Sequence, residues 1–291
     1  MSARLQFVLI GHPVSHSISP AIHRAAYHAV GMGHQYDAVD CADEAAVQRQ
    51  VHRIRAGEVA GANVTVPHKL LALSLADAVD ASARQVGAAN VLLRDEGGSV
   101  VAYNTDAHAL ADELGTGAAE RSALVLGNGG AALAAVVACR ETGAGKVYVT
   151  ARKFSAEMAT QSWPMASPLK ALGAELLAWN SATLTPAVQR AAFVVQATSA
   201  GMKGADSGDE LNRVLPWSAL PGDALLYDLV YNPPETPFLA QARALGLRAS
   251  NGLGMLVGQA ARAFSLWLGV TAPVAAMRQA AEDALYGAHS S

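Results

Sequence analysis

The stretch Ala123-Leu124-Val125-Leu126-Gly127-Asn128-Gly129-Gly130-Ala131-Ala132 decides the fold. Its four leading apolar residues read as a buried strand, its glycines as a tight turn, and the Ala/Val-rich continuation to about residue 141 as a helix. Lys146 to Thr150 then reads as a second strand and completes a βαβ unit of about thirty residues. The turn has the G-x-G-x-x-A form of the dinucleotide-binding fingerprint. Gly127 permits the strand-to-helix turn, Gly129 lets backbone approach a pyrophosphate, and the small Ala132 lets helix pack closely on strand. Asn128, Gly130 and Ala131 complete a loop that ends on a helix N-terminus, where free N–H groups and the positive end of the dipole suit phosphate. A bland Gly-rich turn can carry the same letters. Here the pattern follows a strand and opens a helix, which is the context the fingerprint requires.

The end of the second strand addresses the ribose. An NAD site usually places Asp or Glu there, against the 2′-hydroxyl. This chain has Thr150-Ala151-Arg152-Lys153 instead, and two cations suit a 2′-phosphate, so NADP is favoured and NAD is the weaker alternative. A solvated surface pair is the competing reading of Arg152 and Lys153.

Outward from this unit, short apolar strands alternate with helical stretches, the signature of an α/β fold with parallel strands. Towards the N-terminus the pattern gives a strand at 5–10, helices around 20–30 and 43–55, and a strand from Gly61 ended by Pro67. A further helix, strands at 90–94 and 99–103 joined by a Gly97-Gly98 turn, and a helix near 107–114 complete that side. Towards the C-terminus it gives strands at 192–196 and 224–230, then two helices joined near Pro273. The expected organisation is an N-terminal α/β domain, residues 1–106 with 252–291, and a Rossmann-type dinucleotide-binding domain, residues 107–251. The C-terminal helices are expected to pack back on the first domain.

With 291 residues the chain has room for two domains of roughly 100–200 residues each. A hydrophobic share of 52%, charged residues at 15% and a net charge of -3 speak against disorder, a nucleic-acid groove or a polybasic membrane patch. No apolar run reaches the ~18 residues of a membrane span, no secretory leader pattern is present, and a cytoplasmic location is expected. Cys41 and Cys139 make neither a disulfide framework nor a zinc spacing and read as reduced thiols. His12 and His16 are separated by Pro13 and share no helical face, and His23 and His28 form no metalloprotease pattern, so no metal site is expected. Monomer and homodimer are both compatible with the sequence.

Three further segments combine hydroxyls with one cation and one anion: Gly11-His12-Pro13-Val14-Ser15-His16-Ser17-Ile18-Ser19-Pro20, Asn63-Val64-Thr65-Val66-Pro67-His68-Lys69, and Asn104-Thr105-Asp106. Hydroxyls suit a polyhydroxylated or carboxylated small molecule, because each can donate and accept. A Lys and an Asp at strand ends can exchange a proton with a carbonyl oxygen while hydride arrives from the other face. From spacing alone the plainer reading stays open: hydroxyls that cap helices, and an exposed lysine after a proline.

These segments, with Asp228-Leu229-Val230-Tyr231-Asn232-Pro233, Thr236-Pro237 and Gly252-Leu253-Gly254-Met255-Leu256-Val257-Gly258-Gln259, resemble the motifs of the shikimate dehydrogenase family in order and along essentially the whole chain. The resemblance implies reversible, NADP-linked reduction of 3-dehydroshikimate to shikimate, a step of aromatic amino acid biosynthesis, with a cleft between the domains that closes on the cofactor. It implies that Lys69 moves the proton and that Asp106 orients Lys69. By the same resemblance Ser17 and Ser19 hold the substrate carboxylate, and Thr65, Asn90, Tyr231 and Gln259 complete the pocket. Thr198, Leu229 and Gly252 join the Gly127 loop and Ala151-Arg152-Lys153 in holding the nucleotide.

The chain departs from the family pattern in places. Ala151 and Ala156 stand where NADP-specific members often carry Asn and Arg, Gln196 replaces an Asn, and Val91 replaces a Thr. The nearest alternative is therefore a paralogue acting on quinate or aminoshikimate with relaxed NAD/NADP use. Ser19 favours shikimate, since quinate-preferring relatives often carry Thr there. A non-catalytic NADP-binding sensor is a remote alternative, because it need not keep both Lys69 and Asp106.

Overall fold

A computed structural model describes residues 4–155, 162–163 and 165–287; Ala156 lies outside the described residues. The chain forms two compact units, one made of the chain up to Ala109 and from Leu256 onward, the other of Leu110–Met255.

In the first unit the strands are β1 (Gln6–Gly11), β2 (Gln35–Asp40), β3 (Gly61–Val64), β4 (Ala78–Val79), β5 (Val91–Arg94) and β6 (Val100–Tyr103), in the order β2-β1-β3-β5-β6-β4. β1 runs parallel to both of its neighbours, whereas β5 is antiparallel to β3 and β6. The hairpin read at Gly97-Gly98 joins β5 to β6 and accounts for their antiparallel pairing. Buried Phe7, Val8 and Ile10 of β1 explain why this short apolar run sits inside the sheet rather than at its rim.

The C-terminal helices return to this unit, as expected. Helix Val274–Tyr286 packs on helix Ser19–Ala29. In helix Leu253–Leu268, the Trp267 ring stacks on Phe7 with centroids 4.6 Å apart, and its Nε1 donates to the Leu92 carbonyl at 3.2 Å. Tyr27, Tyr36 and His23 complete this aromatic core, with the His23 imidazole stacked flat on Tyr36 at 4.3 Å. Complete burial drives His23 down to about 3, an effect that Asn63 beside it only partly offsets.

In the second unit the strands are β7 (Ser122–Leu126), β8 (Lys146–Thr150), β9 (Ala174–Leu176), β10 (Ala191–Gln196), β11 (Leu225–Asp228) and β12 (Arg248–Ser250), all parallel, in the order β12-β11-β10-β7-β8-β9. From β7 the chain winds outward through β8 to β9, and from β10 it winds the opposite way through β11 to β12. The order therefore reverses between β7 and β10, and ligands of such sheets bind outside the strand ends at that point. Among the described residues no helix is long and apolar enough to cross a membrane.

Candidate active site and nucleotide cradle

Two helix starts bring Lys69 and Asp106 together in the first unit. Lys69 opens helix Lys69–Leu75 just after the Val66-Pro67 turn, and Asp106 opens helix Asp106–Leu114 just after β6. Asn104 explains the second start. Its Oδ1 accepts from the backbone N–H of Asp106 at 3.0 Å and of Ala107 at 3.2 Å, capping the helix and fixing Asp106 in its first turn. Lys69 Nζ donates to Asp106 Oδ2 at 2.7 Å, and the two side chains are only 14% and 6% exposed. The plainer reading of Lys69 as an exposed lysine is set aside by this burial.

Asn90 ties the pair to the rest of the cluster. Its Nδ2 donates to Asp106 Oδ1 at 2.8 Å and to Thr105 Oγ1 at 2.9 Å, and it lies 3.4 Å from Gln259 Oε1. Asn90 Oδ1 in turn accepts from the Thr105 backbone at 2.8 Å. Thr105, not singled out among the site residues beforehand, locks the C-terminal helix in place: its Oγ1 donates to the Gln259 carbonyl at 3.1 Å. Its place inside the Asn104-Thr105-Asp106 segment was the signal available. One carboxylate oxygen of Asp106 is thus committed to Asn90 and the other to Lys69, which leaves the lysine aimed by a rigid, hydrogen-bonded partner.

The other expected residues fall as follows. Ser17 Oγ lies 3.3 Å from Ser19 Oγ and accepts from the Ser19 backbone N–H at 3.3 Å, at the start of helix Ser19–Ala29. The loop before them is pinned to the end of β2, because Asp40 accepts from His12 Nδ1 at 2.8 Å and from the Val14 N–H at 3.2 Å. Thr65 follows β3 and is half-buried. Tyr231 belongs to the second unit, three residues past the end of β11, where burial raises its phenol above the usual range.

The second unit carries the nucleotide features. Gly127 sits at φ +133°, and a Cβ there would come within 2.9 Å of the Ala197 carbonyl oxygen, so the turn admits glycine alone. Around Gly129 nothing lies within 4 Å of the Cβ position, and helix Gly130–Glu141 starts there without a side-chain cap. That open, uncapped helix start is the cradle a diphosphate needs, and the residues fit a dinucleotide. The adjoining cavity, about 160 Å³, is lined by Gly127, Asn128, Ala151, Arg152, Lys153 and Thr198 among others. Gln196, the residue in place of Asn, braces the wall beside it: its Oε1 accepts from the Thr198 N–H, and its Nε2 donates to the Ala200 carbonyl at 2.9 Å.

Comparison with known proteins agrees with this layout. The model of the shikimate dehydrogenase substrate binding domain matches residues 9–92, and that of the shikimate 5'-dehydrogenase C-terminal domain matches residues 252–282. A shikimate dehydrogenase (NADP(+)) of Symbiobacterium thermophilum is 37% identical over 288 residues, covering 96% of this chain and 94% of its own. The chain belongs to the shikimate dehydrogenase family. Among solved structures, shikimate 5-dehydrogenase from Thermus thermophilus in complex with NADP(H) and shikimate superposes with a TM-score of 0.80 at 34% identity, over 97% of this chain and all of the other. The Listeria monocytogenes shikimate 5-dehydrogenase in complex with shikimate and NAD gives a TM-score of 0.82 at 25% identity, over 96% of each.

For a member of the shikimate dehydrogenase family, the segment from Asp228 to Pro237 has a clear structural task. The buried Asp228 carboxylate accepts from Thr236 Oγ1 at 2.6 Å, from the Val230 N–H at 2.9 Å and from Gln196 Nε2 at 3.2 Å, which folds the loop back on its strand. Burial still lifts Asp228 to about 6 despite these donors. The same loop meets Gly252, whose N–H donates to the Val230 carbonyl at 3.1 Å and whose missing Cβ would lie 2.2 Å from the Leu229 carbonyl oxygen. Gly252→Ala should therefore destabilise the protein by about 1–3 kcal/mol, since backbone cannot yield as a flexible side chain can. Urea unfolding midpoints of the two proteins check this; equal midpoints would mean that the loop has room to move.

Proposed function

We propose that this chain catalyses the reversible, NADP-linked reduction of 3-dehydroshikimate to shikimate. The observation that carries the reading is the secluded Lys69–Asp106 pair held by Asn90, a proton-moving unit beside hydroxyl-bearing residues. In the reducing direction the nicotinamide, when bound, supplies hydride to the ring carbonyl carbon. The carbonyl oxygen then takes a proton from Lys69 Nζ, so that the ketone gains one hydride and one proton and leaves as a secondary alcohol. Asp106 holds the ammonium in line and stabilises its charge; in the oxidising direction Lys69 takes the alcohol proton back. Ser17 and Ser19 receive the substrate carboxylate at the start of helix Ser19–Ala29, and Thr65, Asn90, Tyr231 and Gln259 bind its ring hydroxyls. Gly127 to Ala131, Ala151 to Lys153, Thr198, Leu229 and Gly252 hold the nucleotide.

Initial rates of shikimate oxidation with saturating NADP and, separately, saturating NAD test this, followed by the absorbance of reduced cofactor. Fast NADP-linked turnover is the expected result. No turnover of shikimate with either nucleotide would overturn the substrate assignment and direct the test to quinate and amino analogues. One observation favours this second reading, a paralogue with relaxed cofactor use: Arg152, the expected phosphate ligand, is already engaged by carboxylates.

A further inference from the structure

The cavity beside the Gly127 loop contains two carboxylates as well as the cations read from the sequence. Arg152 Nη1 lies 2.6 Å from Asp206 Oδ2 and 3.6 Å from Glu210 Oε2. Each carboxylate has its own anchor. Asp206 Oδ1 accepts from the Gly208 N–H at 2.9 Å, and Glu210 Oε1 accepts from the Trp179 indole at 2.9 Å. Trp179, Asp206, Gly208 and Glu210 line the same cavity as Ala151, Arg152 and Lys153. The acids are thus built into the wall where the end of β8 would meet the ribose, and they do not depend on Arg152 for their position.

This arrangement treats the two nucleotides differently. A 2′-phosphate brings about −1.5 to −2 charges to the site and gains Arg152 only by sharing it with two fixed anions. A 2′-hydroxyl has a proton to donate and finds carboxylate acceptors in place. The three side chains are between 41% and 54% exposed, so the ion pair itself adds little to stability, and its effect falls on the ligand.

We propose that Asp206 and Glu210 set the nucleotide preference of this chain: they hold Arg152 away from a 2′-phosphate, suppress NADP selectivity and let a 2′-hydroxyl nucleotide bind. The proposal rests on the reading of the Gly127 loop as the nucleotide site. Asp206→Asn and Glu210→Gln remove the charges and keep an oxygen for the Gly208 and Trp179 donors, so fold and cavity shape are preserved.

The test is calorimetric titration of the full chain with 2′,5′-ADP and with 5′-AMP, for wild type, both single variants and the double variant. The double variant should bind 2′,5′-ADP at least about tenfold more tightly than wild type does, because two like charges have left the phosphate's neighbourhood. Its affinity for 5′-AMP should stay within about threefold, and the gain in selectivity should shrink as salt is raised. Adding Arg152→Ala to the double variant should abolish the gain. An unchanged ratio of the two affinities, with both ligands still bound, would overturn the proposal and leave the nucleotide site standing. Failure of both ligands to bind any of these proteins would overturn the proposal together with the site it rests on.

Discussion

Replacing Lys69 by alanine will lower kcat for shikimate oxidation by at least about 100-fold, the scale of a general acid–base contribution. The reasoning is geometric. Nothing else within the described hydrogen bonds of Asp106 can move a proton in its place: Asn90 occupies the second oxygen with an amide N–H that is far too weak an acid to transfer its proton. Truncation also leaves the Asp106 carboxylate secluded without its cation, so part of the loss could be mistaken for unfolding. Lys69→Met keeps the stem in place, and a cooperative urea unfolding transition shows that the first unit, which holds Lys69, is folded. A folded Lys69 variant with near-normal kcat would sink the assigned mechanism, and with it the argument against a non-catalytic sensor.

Acidification will remove up to about 5 kcal/mol of stability through a single residue, His23. In the unfolded chain this imidazole takes a proton near its ordinary value of 6.5, whereas in the folded protein burial delays protonation to about 3. Between those values the unfolded chain binds the extra proton, so each pH unit downward favours unfolding by about 1.4 kcal/mol. The contribution is fully present above pH 6.5 and has vanished below about 3. His23→Leu should therefore flatten the acid limb of a plot of unfolding free energy against pH, whatever it costs at neutral pH through its lost stacking on Tyr36. Urea unfolding at pH 7, 5 and 4 measures the slope. Parallel curves for the two proteins would refute the role given to His23.

The parts of the fold legible in the sequence are its centre. The run before Gly127 stands out because β7, buried on both faces, has no room for a polar interruption, and Lys146–Thr150 follows it at the distance a crossover helix requires. The strands that the pattern does not single out are β2, β4, β9 and β12, and these are the four edges of the two sheets. An edge strand pairs on one side only. β2 can therefore alternate exposed Gln35 with buried Tyr36, and β4 can consist of two residues, without leaving an apolar signature. The site divides in a similar way. Lys69 and Asp106 sit in short segments whose residue types already suggest chemistry, whereas Asn90 is reached only through the family resemblance. The partners of Arg152 do not: Asp206 lies 54 positions further along, in a loop that reads as ordinary solvated acid, and only the fold brings it to the guanidinium.

The return of helix Leu253–Leu268 to the first sheet has a consequence for how the protein comes into being. Trp267 meets Leu92 across 175 positions of chain, and the same ring seals the face of Phe7 in the first strand. On a ribosome, the N-terminal sheet emerges early yet waits with an uncovered aromatic face until Trp267 has been made. The Rossmann unit, continuous from Leu110 to Met255, can close as soon as it leaves the tunnel. The half that was translated first is thus the half completed last, and its bare face over that interval is where chaperones would find work.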